Sequence, residues 1–269
     1  MAGAAVEPAK ARARTLIHAR GVAKSYQTGD GEVESLRPLE FEVGEGEFVS
    51  VVGPSGCGKS TLLKLIGGLL PASRGSIEIG GATVDGPPSG IGIVFQNHVL
   101  LPWRTVLANI LLQAEVRGLP REQSLARARE LVAMVGLEGF ENKFPWQLSG
   151  GMQQRASICR ALVHDPAILL MDEPFGALDA MTREKMNLEL QRIWAAAKKT
   201  VLLITHSIPE SIFLSDRVLV MSERPGSIAA IYEVALPRPR TLAMMGSPEF
   251  AVLAQTIRAH FYSKGLLDV

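Results

Sequence analysis

The stretch Gly53-Pro54-Ser55-Gly56-Cys57-Gly58-Lys59-Ser60-Thr61 decides the fold of this 269-residue chain. It matches the pattern G-x-x-x-x-G-K-[ST], in which backbone N–H groups of a glycine-rich loop converge on the phosphates of a nucleotide. An apolar strand candidate ends just before it and a helical pattern begins at Lys59, so the positive end of a helix dipole faces the phosphates. We expect Lys59 to reach the β- and γ-phosphates and Ser60 to ligate Mg²⁺. The alternative is a structural glycine turn.

Apolar runs at residues 48–52, 167–171 and 201–204 predict strands that are buried on both faces, as in a parallel sheet. Helical stretches follow, at 59–69 and 181–197 for example, and this alternation predicts an α/β fold with a P-loop core and a mainly parallel sheet. Short alternating runs such as Leu39-Glu40-Phe41-Glu42-Val43 indicate a separate antiparallel β subdomain within residues 16–52.

The chain divides into one main domain and two tails. Residues 16–240 form the predicted nucleotide-binding domain, and 103–163 form a helical subdomain inserted into it, with amphipathic helices over 122–135 and 151–163. Residues 1–15 are Ala-rich and lack the apolar core of a signal peptide, so we expect a disordered tail. Residues 241–269 form a C-terminal helical tail with a last helix over 248–261.

Composition limits the classes of function. Hydrophobic residues make up 47% and charged residues 20% of the chain, which is typical of a globular protein, and the net charge is +1. A near-neutral chain has no bulk positive field for nucleic acid or anionic lipid, so no nucleic-acid partner is expected. Apolar runs fall far short of the ~20 residues that span a bilayer. The two cysteines have neither metal-ligand spacing nor disulfide density, which favours a cytoplasmic setting.

Two further groups of polar residues follow predicted strands. Asp172 and Glu173 end the second apolar run; Asp172 can hold Mg²⁺ and Glu173 can orient or deprotonate an attacking water. His206 follows the third run and is a candidate γ-phosphate contact, because the carboxyl ends of parallel strands share one ligand-binding edge. Solvated carboxylates and a histidine that only packs in a turn are the alternatives.

The segment Leu148-Ser149-Gly150-Gly151-Met152-Gln153-Gln154-Arg155 resembles the signature motif of the ATP-binding cassette family. Alone, Ser-Gly-Gly before a helix fits a simple N-cap. The order of phosphate loop, Gln96, signature, Asp172-Glu173, Asp179 and His206 is similar to the family's order, and the resemblance covers roughly residues 16–232. Met152 stands where the family more commonly has glutamine, at a position not expected to touch phosphate.

The resemblance implies roles for individual residues. Tyr26 would stack on adenine, the alternative being a packed edge-strand tyrosine. Gln96 would touch Mg²⁺ and the attacking water, Ser149 and Gly151 would contact the γ-phosphate bound to the opposite protomer, and Asp179 would cross the dimer interface. The expected catalytic residues are Glu173, His206 and Gln96. The expected metal ligands are Ser60, Gln96 and Asp172. The nucleotide-binding set is Tyr26, Gly53, Pro54, Ser55, Gly56, Cys57, Gly58, Lys59, Ser60, Thr61, Ser149, Gly150, Gly151, Gln153 and Asp179.

The implied activity is ATP hydrolysis, with ATP and Mg²⁺, in a head-to-tail dimer of two copies. The segment Asn97-His98-Val99-Leu100-Leu101-Pro102-Trp103, called here the apolar segment, lies where family members contact a membrane permease. If exposed, it would mark an interface. Val99 and Leu101 alternatively pack inside the helical subdomain.

The chain resembles the nitrate, sulfonate and taurine importer group in four stretches. They are residues 95–106, which include the apolar segment, Glu173-Pro174-Phe175-Gly176-Ala177-Leu178-Asp179-Ala180, Thr205-His206-Ser207-Ile208-Pro209-Glu210 and Arg224-Pro225-Gly226. This likeness implies a bacterial importer with permease subunits and a solute-binding protein, the chain lying peripherally on the cytoplasmic face of the inner membrane. A different solute, such as a pyrimidine precursor, stays open. Two other classes compete with the importer. One is a soluble cassette ATPase of repair or translation, which would carry long insertions or two cassettes. The other is a P-loop kinase.

Overall fold

The strand before the phosphate loop, β3 (Phe48–Val52), is buried at every position. It is a central strand of the parallel core in a computed structural model that describes residues 14–29, 31–176 and 178–262. The other strands are β1 (Thr15–Thr28), β2 (Gly31–Gly44), β4 (Arg74–Ile79), β5 (Ala82–Thr83), β6 (Ile91–Val94), β7 (Ile168–Asp172), β8 (Thr200–Thr205), β9 (Arg217–Met221) and β10 (Ile228–Glu233). The helices are α1 (Lys59–Ile66), α2 (Val106–Val116), α3 (Arg121–Met134), α4 (Gly150–Leu162), α5 (Ala180–Ala197), α6 (Ile208–Leu214) and α7 (Pro248–Tyr262), with 3₁₀ turns at Pro145–Gln147 and Leu242–Gly246.

Six strands form the core sheet in the order β10-β9-β3-β8-β7-β6. The strands from β9 to β6 pair in parallel, and only β10 joins antiparallel, to β9. The predicted α/β fold with a mainly parallel sheet is therefore confirmed. Side chains alternate between two apolar cores: Phe48 and Val52 of β3 pack into one, and Val49 and Val51 into the other. Such double burial is why this strand carries an apolar run instead of an alternating pattern.

The predicted antiparallel β subdomain is a four-stranded sheet in the order β2-β1-β4-β5. In β2 the side chains of Leu39, Phe41 and Val43 are buried while Glu40 and Glu42 are exposed, which is the alternation that the sequence predicted. Strand β1 already begins at Thr15, the last residue of the predicted tail, because Thr15 pairs with Gly44 across the sheet. Residues 1–13 of that tail lie outside the described residues.

Between β6 and β7 the described chain is helical, with α2, α3 and α4 packed together over residues 106–162. The helix predicted over 59–69 was too long: α1 ends at Ile66 because Gly68 takes a left-handed φ of 65°, which ends the helical path. The predicted C-terminal helix corresponds to α7, while residues 263–269 lie outside the description. Among the described helices, none has the length and apolarity needed to cross a membrane.

Candidate functional site

Four functional segments lie at one edge of the core sheet. The phosphate loop follows β3, His206 follows β8, Asp172 and Glu173 end β7, and Gln96 lies just beyond β6. These four strands are consecutive neighbours in the sheet and run in parallel. Their carboxyl ends therefore face the same side, where open α/β sheets bind ligands.

The phosphate loop depends on Gly58 and encloses the Lys59 ammonium. Gly58 has a φ of 105°, and a Cβ there would lie 2.5 Å from Leu36 Cδ2, so only glycine fits without displacing the core. Lys59 Nζ donates to the carbonyl oxygens of Gly53 and Pro54, each at 2.8 Å, and the residue is 6% exposed. The loop thus fixes one positive charge at its centre.

The remaining loop residues present backbone more than side chain. Ser55 and Gly56 are exposed, whereas Cys57 is buried against the core beneath the loop. Burial raises the pKa of the Cys57 thiol, so this side chain is a neutral packing group. Any contact of Cys57 with phosphate would come from its N–H, in keeping with how glycine-rich loops bind anions.

Ser60 and Asp172 form the candidate metal site. Ser60 Oγ donates to Asp172 Oδ1 at 3.1 Å. Burial raises the pKa of Asp172, and the Ser60 hydrogen bond opposes that rise. The described residues contain no cluster of three or more His, Cys, Asp or Glu side chains that could hold a metal. A hydroxyl and one carboxylate fit Mg²⁺, which binds through few protein oxygens together with phosphate oxygens and water. Gln96 is exposed at the same sheet edge.

Glu173 and His206 meet directly. His206 Nδ1 lies 3.1 Å from Glu173 Oε2. Because an ionised carboxylate can only accept a hydrogen bond, the His206 ring donates it. The Glu173 N–H donates to Ile204 O at 2.8 Å, which ties the end of β7 to β8. Glu173 adopts a φ of 43°, a left-handed conformation that is costly for a residue with a side chain. Strain of this kind concentrates at functional sites, where the surroundings hold it in place.

Tyr26 lies against the helix that follows the phosphate loop. Its hydroxyl is 3.4 Å from Thr61 Oγ1, and Lys24 Nζ is 5.3 Å from the centre of its ring. The side chain is partly exposed. Tyr26 therefore borders the loop, where a base attached to bound phosphates could stack on it.

The signature residues begin α4, and Ser149 and Gly150 at its start are exposed. Ser149 Oγ caps the helix by accepting from Met152 N, at 3.4 Å, and Gly150 is exposed beside it. The Gln153 amide donates to the carbonyls of Pro145 and Leu148, so it braces the turn before the helix. Within the described residues no hydrogen bond joins this segment to the phosphate loop.

Asp179 stands at the start of α5, near the signature helix. Its Oδ1 accepts from Thr182 N at 3.0 Å, and the Thr182 hydrogen bonds lower the pKa of the carboxyl. A Cβ on Gly151 would lie 3.6 Å from Thr182 Cγ2, which places the two helix N-termini side by side. Both therefore offer unpaired N–H groups and positive dipole ends in one place.

The apolar segment exposes two of its large apolar side chains. Val99 is 54% and Trp103 70% exposed, while Leu100 and Leu101 are partly buried. Arg160 of α4 donates to the carbonyls of His98 and Val99 at 2.8 and 2.6 Å, so the signature helix holds this segment in place. The alternative that Val99 packs inside the helical subdomain is excluded by this exposure, whereas Leu101 is partly buried.

Sequence patterns did not predict a role for two charged residues near the site, Glu210 and Arg183. Glu210, in the first turn of α6, is 4% exposed, and burial raises its pKa to about 7. Arg183 of α5 is the cation whose charge acts on it. An acidic residue in a first helical turn ordinarily indicates a solvated group near the dipole. The available signal was the apolar sequence Ser211-Ile212-Phe213-Leu214 that follows, which places Glu210 on a buried helix.

Comparisons with known proteins identify relatives of this chain. The family model described as ABC transporter matches residues 36–176. A taurine import ATP-binding protein of Rhizobium johnstonii is 47% identical over 236 residues, 86% of this chain and 90% of that protein. An aliphatic sulfonates import ATP-binding protein of Bacillus cereus is 42% identical over 247 residues, 92% of this chain and 96% of that protein. A solved dimeric ATP-binding cassette in a post-hydrolysis state with ADP and Pi is 33% identical, with a TM-score of 0.72, covering 82% of this chain and 100% of that one.

Proposed function

This chain belongs to the ABC transporter family, and we propose that it is the ATP-binding, ATP-hydrolysing subunit of a bacterial importer of small solutes. The observation that carries the proposal is the hydrogen-bonded pair of Glu173 and His206 beside Ser60 and Asp172, at the edge where the phosphate loop ends. Phosphoryl transfer asks a protein mainly for positioning and for stabilisation of charge. These residues provide both.

Each residue has a definite task in the proposed mechanism. Lys59 stabilises the β- and γ-phosphates from within the loop, and backbone N–H groups of residues 55–60 bind the phosphate oxygens. Glu173 orients the attacking water and accepts its proton, while His206 keeps Glu173 in place through Nδ1 and would contact the γ-phosphate. Ser60 and Asp172, with Gln96, would hold Mg²⁺, which neutralises charge on the phosphates when bound.

A second copy would complete each site. Ser149 and Gly150 are exposed at the N-terminus of α4, where unpaired N–H groups and a positive dipole end favour an anion. In the proposed head-to-tail dimer these groups bind the γ-phosphate held by the phosphate loop of the partner. Gly151 and Asp179 would contact the same interface, and Tyr26 would stack on the adenine.

The proposed transport role rests on the apolar segment and on the relatives. Val99 and Trp103 offer an exposed apolar surface held rigidly by α4, which suits a membrane permease that must sense the signature helix. We propose a location on the cytoplasmic face of the membrane, with a solute-binding protein as an indirect partner. Because two relatives are named for taurine and aliphatic sulfonate import, sulfonates are the proposed solute class.

The experiment that tests the activity compares Glu173→Gln with Glu184→Gln, whose side chain is exposed on α5. Loss of the general base should slow ATP turnover by roughly 10²–10⁴-fold while ATP binding stays intact. The control should keep wild-type turnover. Normal turnover in Glu173→Gln would refute the role of Glu173.

The transport role has its own test. The tagged chain is isolated from detergent-solubilised membranes of the source cell, and its partners are identified by mass spectrometry. A polytopic permease should co-purify, and the solute-binding protein that works with it should then be screened with taurine and other sulfonates. Recovery of cytosolic partners alone would leave the ATPase assignment standing and refute the importer.

A further inference from the structure

Glu210 is a buried carboxyl group in which one of the two oxygens has no hydrogen-bond partner. Its Oε2 accepts from Thr205 Oγ1 at 3.1 Å, whereas its Oε1 is buried without a partner. Leaving a buried carboxylate oxygen unpaired is costly, so native structures rarely do so without a reason. The charged groups that face it are Arg183 of α5 and Glu173 at the end of β7.

Arg183 likewise has a buried polar atom without a hydrogen-bond partner. Its Nη2 donates to Leu178 O at 2.9 Å, but its Nε is buried without a partner. Among the described carboxylates, none lies within 4.0 Å of its guanidinium, yet its charge lowers the pKa of Glu210. Helices α5 and α6, which carry these two residues, pack against each other, so a buried unpaired donor and a buried unpaired acceptor of opposite charge lie on neighbouring helices.

Both groups are attached to functional loops. Arg183 is tied to the loop of Asp179, because its N–H donates to Asp179 O at 2.9 Å and its side chain holds Leu178. Glu210 is tied to His206 from both sides. Thr205 Oγ1, which donates to Glu210, also accepts from Ser207 N at 3.0 Å, so the carboxylate sets the turn that carries His206.

We propose that Arg183 and Glu210 form a direct ion pair when two copies close on ATP, which makes Glu210 a positioning residue that couples the Asp179 loop to His206. The inference rests on the proposed function, since the closed dimer and the role of His206 belong to it. In this proposal, the Asp179 loop moves against the partner copy and brings Arg183 Nε to Glu210 Oε1. The pair then fixes Thr205, and through it His206, only when the interface is formed.

The test is a double-mutant cycle on the ATP dimer. In a Glu173→Gln background, which removes hydrolysis, the dimer dissociation constant with saturating ATP and Mg²⁺ is measured by light scattering for Arg183→Met, Glu210→Gln and the double variant. Each single change should weaken the dimer by roughly 5- to 50-fold, and the double change no more than the stronger single one. Glu184→Gln is the matched control and should leave the dimer unchanged.

Kinetics in the Glu173-intact protein separate positioning from simple packing. Glu210→Gln should lower kcat by roughly tenfold with KM for ATP within about twofold, and Arg183→Lys should restore most of the kcat lost in Arg183→Met. Unfolding midpoints confirm that the variants fold; Glu210→Gln keeps the size of the side chain, so it carries the test if Arg183→Met unfolds.

The outcomes separate the two levels of the argument. If Glu173→Gln alone forms no dimer with ATP, the proposed function fails first. If that dimer forms and the Arg183 and Glu210 changes are additive or without effect, only the ion pair is refuted.

Discussion

The phosphate-loop edge and the signature segment differ in where their functional groups find partners. At the sheet edge they bind one another within the chain: Lys59 bonds the loop, Ser60 bonds Asp172, and Glu173 bonds His206. At the signature, Ser149 and Gly150 are exposed, and Met181, at the start of the neighbouring helix, is 71% exposed. One region is internally satisfied, and the other presents its groups outward.

This difference fits the proposed head-to-tail dimer, in which one chain carries a preassembled half of a site and the complement of another. Groups that must hold a fixed geometry for chemistry are supported by the sheet and by each other. Groups that face solvent at a helix N-terminus gain a partner only from a ligand or a second chain.

The largest effect is expected from Lys59→Met. Removing the charge at the centre of the loop should lower kcat/KM for ATP by roughly 10²–10³-fold, because the phosphates lose their main positive contact. Steady-state ATPase assays measure the change. Lys64→Met, on the exposed side of the same helix, is the control and should stay within about twofold of wild type. Equal losses in both variants would mean that helix charge in general, not Lys59, matters.

A signature variant should separate binding from turnover. Ser149→Arg places a long side chain where the proposed dimer closes, so ATPase activity should fall by roughly 100-fold while ATP affinity of the single chain changes less than about threefold. Equilibrium binding and ATPase assays give the two numbers. Glu138→Arg, exposed elsewhere in the helical region, should leave both unchanged. Loss of single-chain ATP binding in Ser149→Arg would contradict the division into two regions.

Glu210 should give the protein a pH-dependent stability. Its pKa is about 7 in the fold against an ordinary 4.5, so the folded chain holds this proton more tightly than the unfolded chain. The stabilisation is present in full below about pH 4.5 and is lost as pH rises through about 7, a change on the order of 3 kcal/mol in the free energy of unfolding. Denaturant titrations of wild type and Glu210→Gln between pH 5 and 8 should differ by this slope. Parallel pH profiles of the two proteins would refute a raised pKa for the buried Glu210 carboxyl.

The smallest effect on the free energy of unfolding is expected from a change in the apolar segment. Trp103→Ala should change the free energy of unfolding by less than about 0.5 kcal/mol, because the side chain is 70% exposed. Its expected effect is a loss of co-purification with the permease. Trp146→Ala, 64% exposed outside the segment, is the matched control and should co-purify normally. Equal recovery of permease with both variants would remove the apolar segment from the interface.

The sequence predicted what depends on local pattern. Continuous apolar runs identified β3, β7 and β8, because strands buried on both faces tolerate few polar residues. The two edge strands lack such a run. Strand β6 has only four residues, and β10 contains two alanines, so their sequences cannot be distinguished from a turn or a helix. The common edge of the site followed from strand polarity alone.

Interactions between distant residues were not predictable from pattern. Glu210 and Arg183 are 27 positions apart, and only the packing of α5 against α6 brings their charges together. Likewise, the hydrogen bonds from Arg160 to His98 and Val99 join residues about 60 positions apart. Polar residues on helices ordinarily face solvent, so their burial becomes visible only in the folded chain.

The most direct test of completion of each site by a second copy is the mass of Glu173→Gln in solution with ATP and Mg²⁺, measured by light scattering after size exclusion. We expect a species of about twice 29.0 kDa with ATP, and a return to the single-chain mass when Ser149→Arg is added to the same chain. A single-chain mass for Glu173→Gln with bound ATP would contradict the claim that one copy completes the site of another.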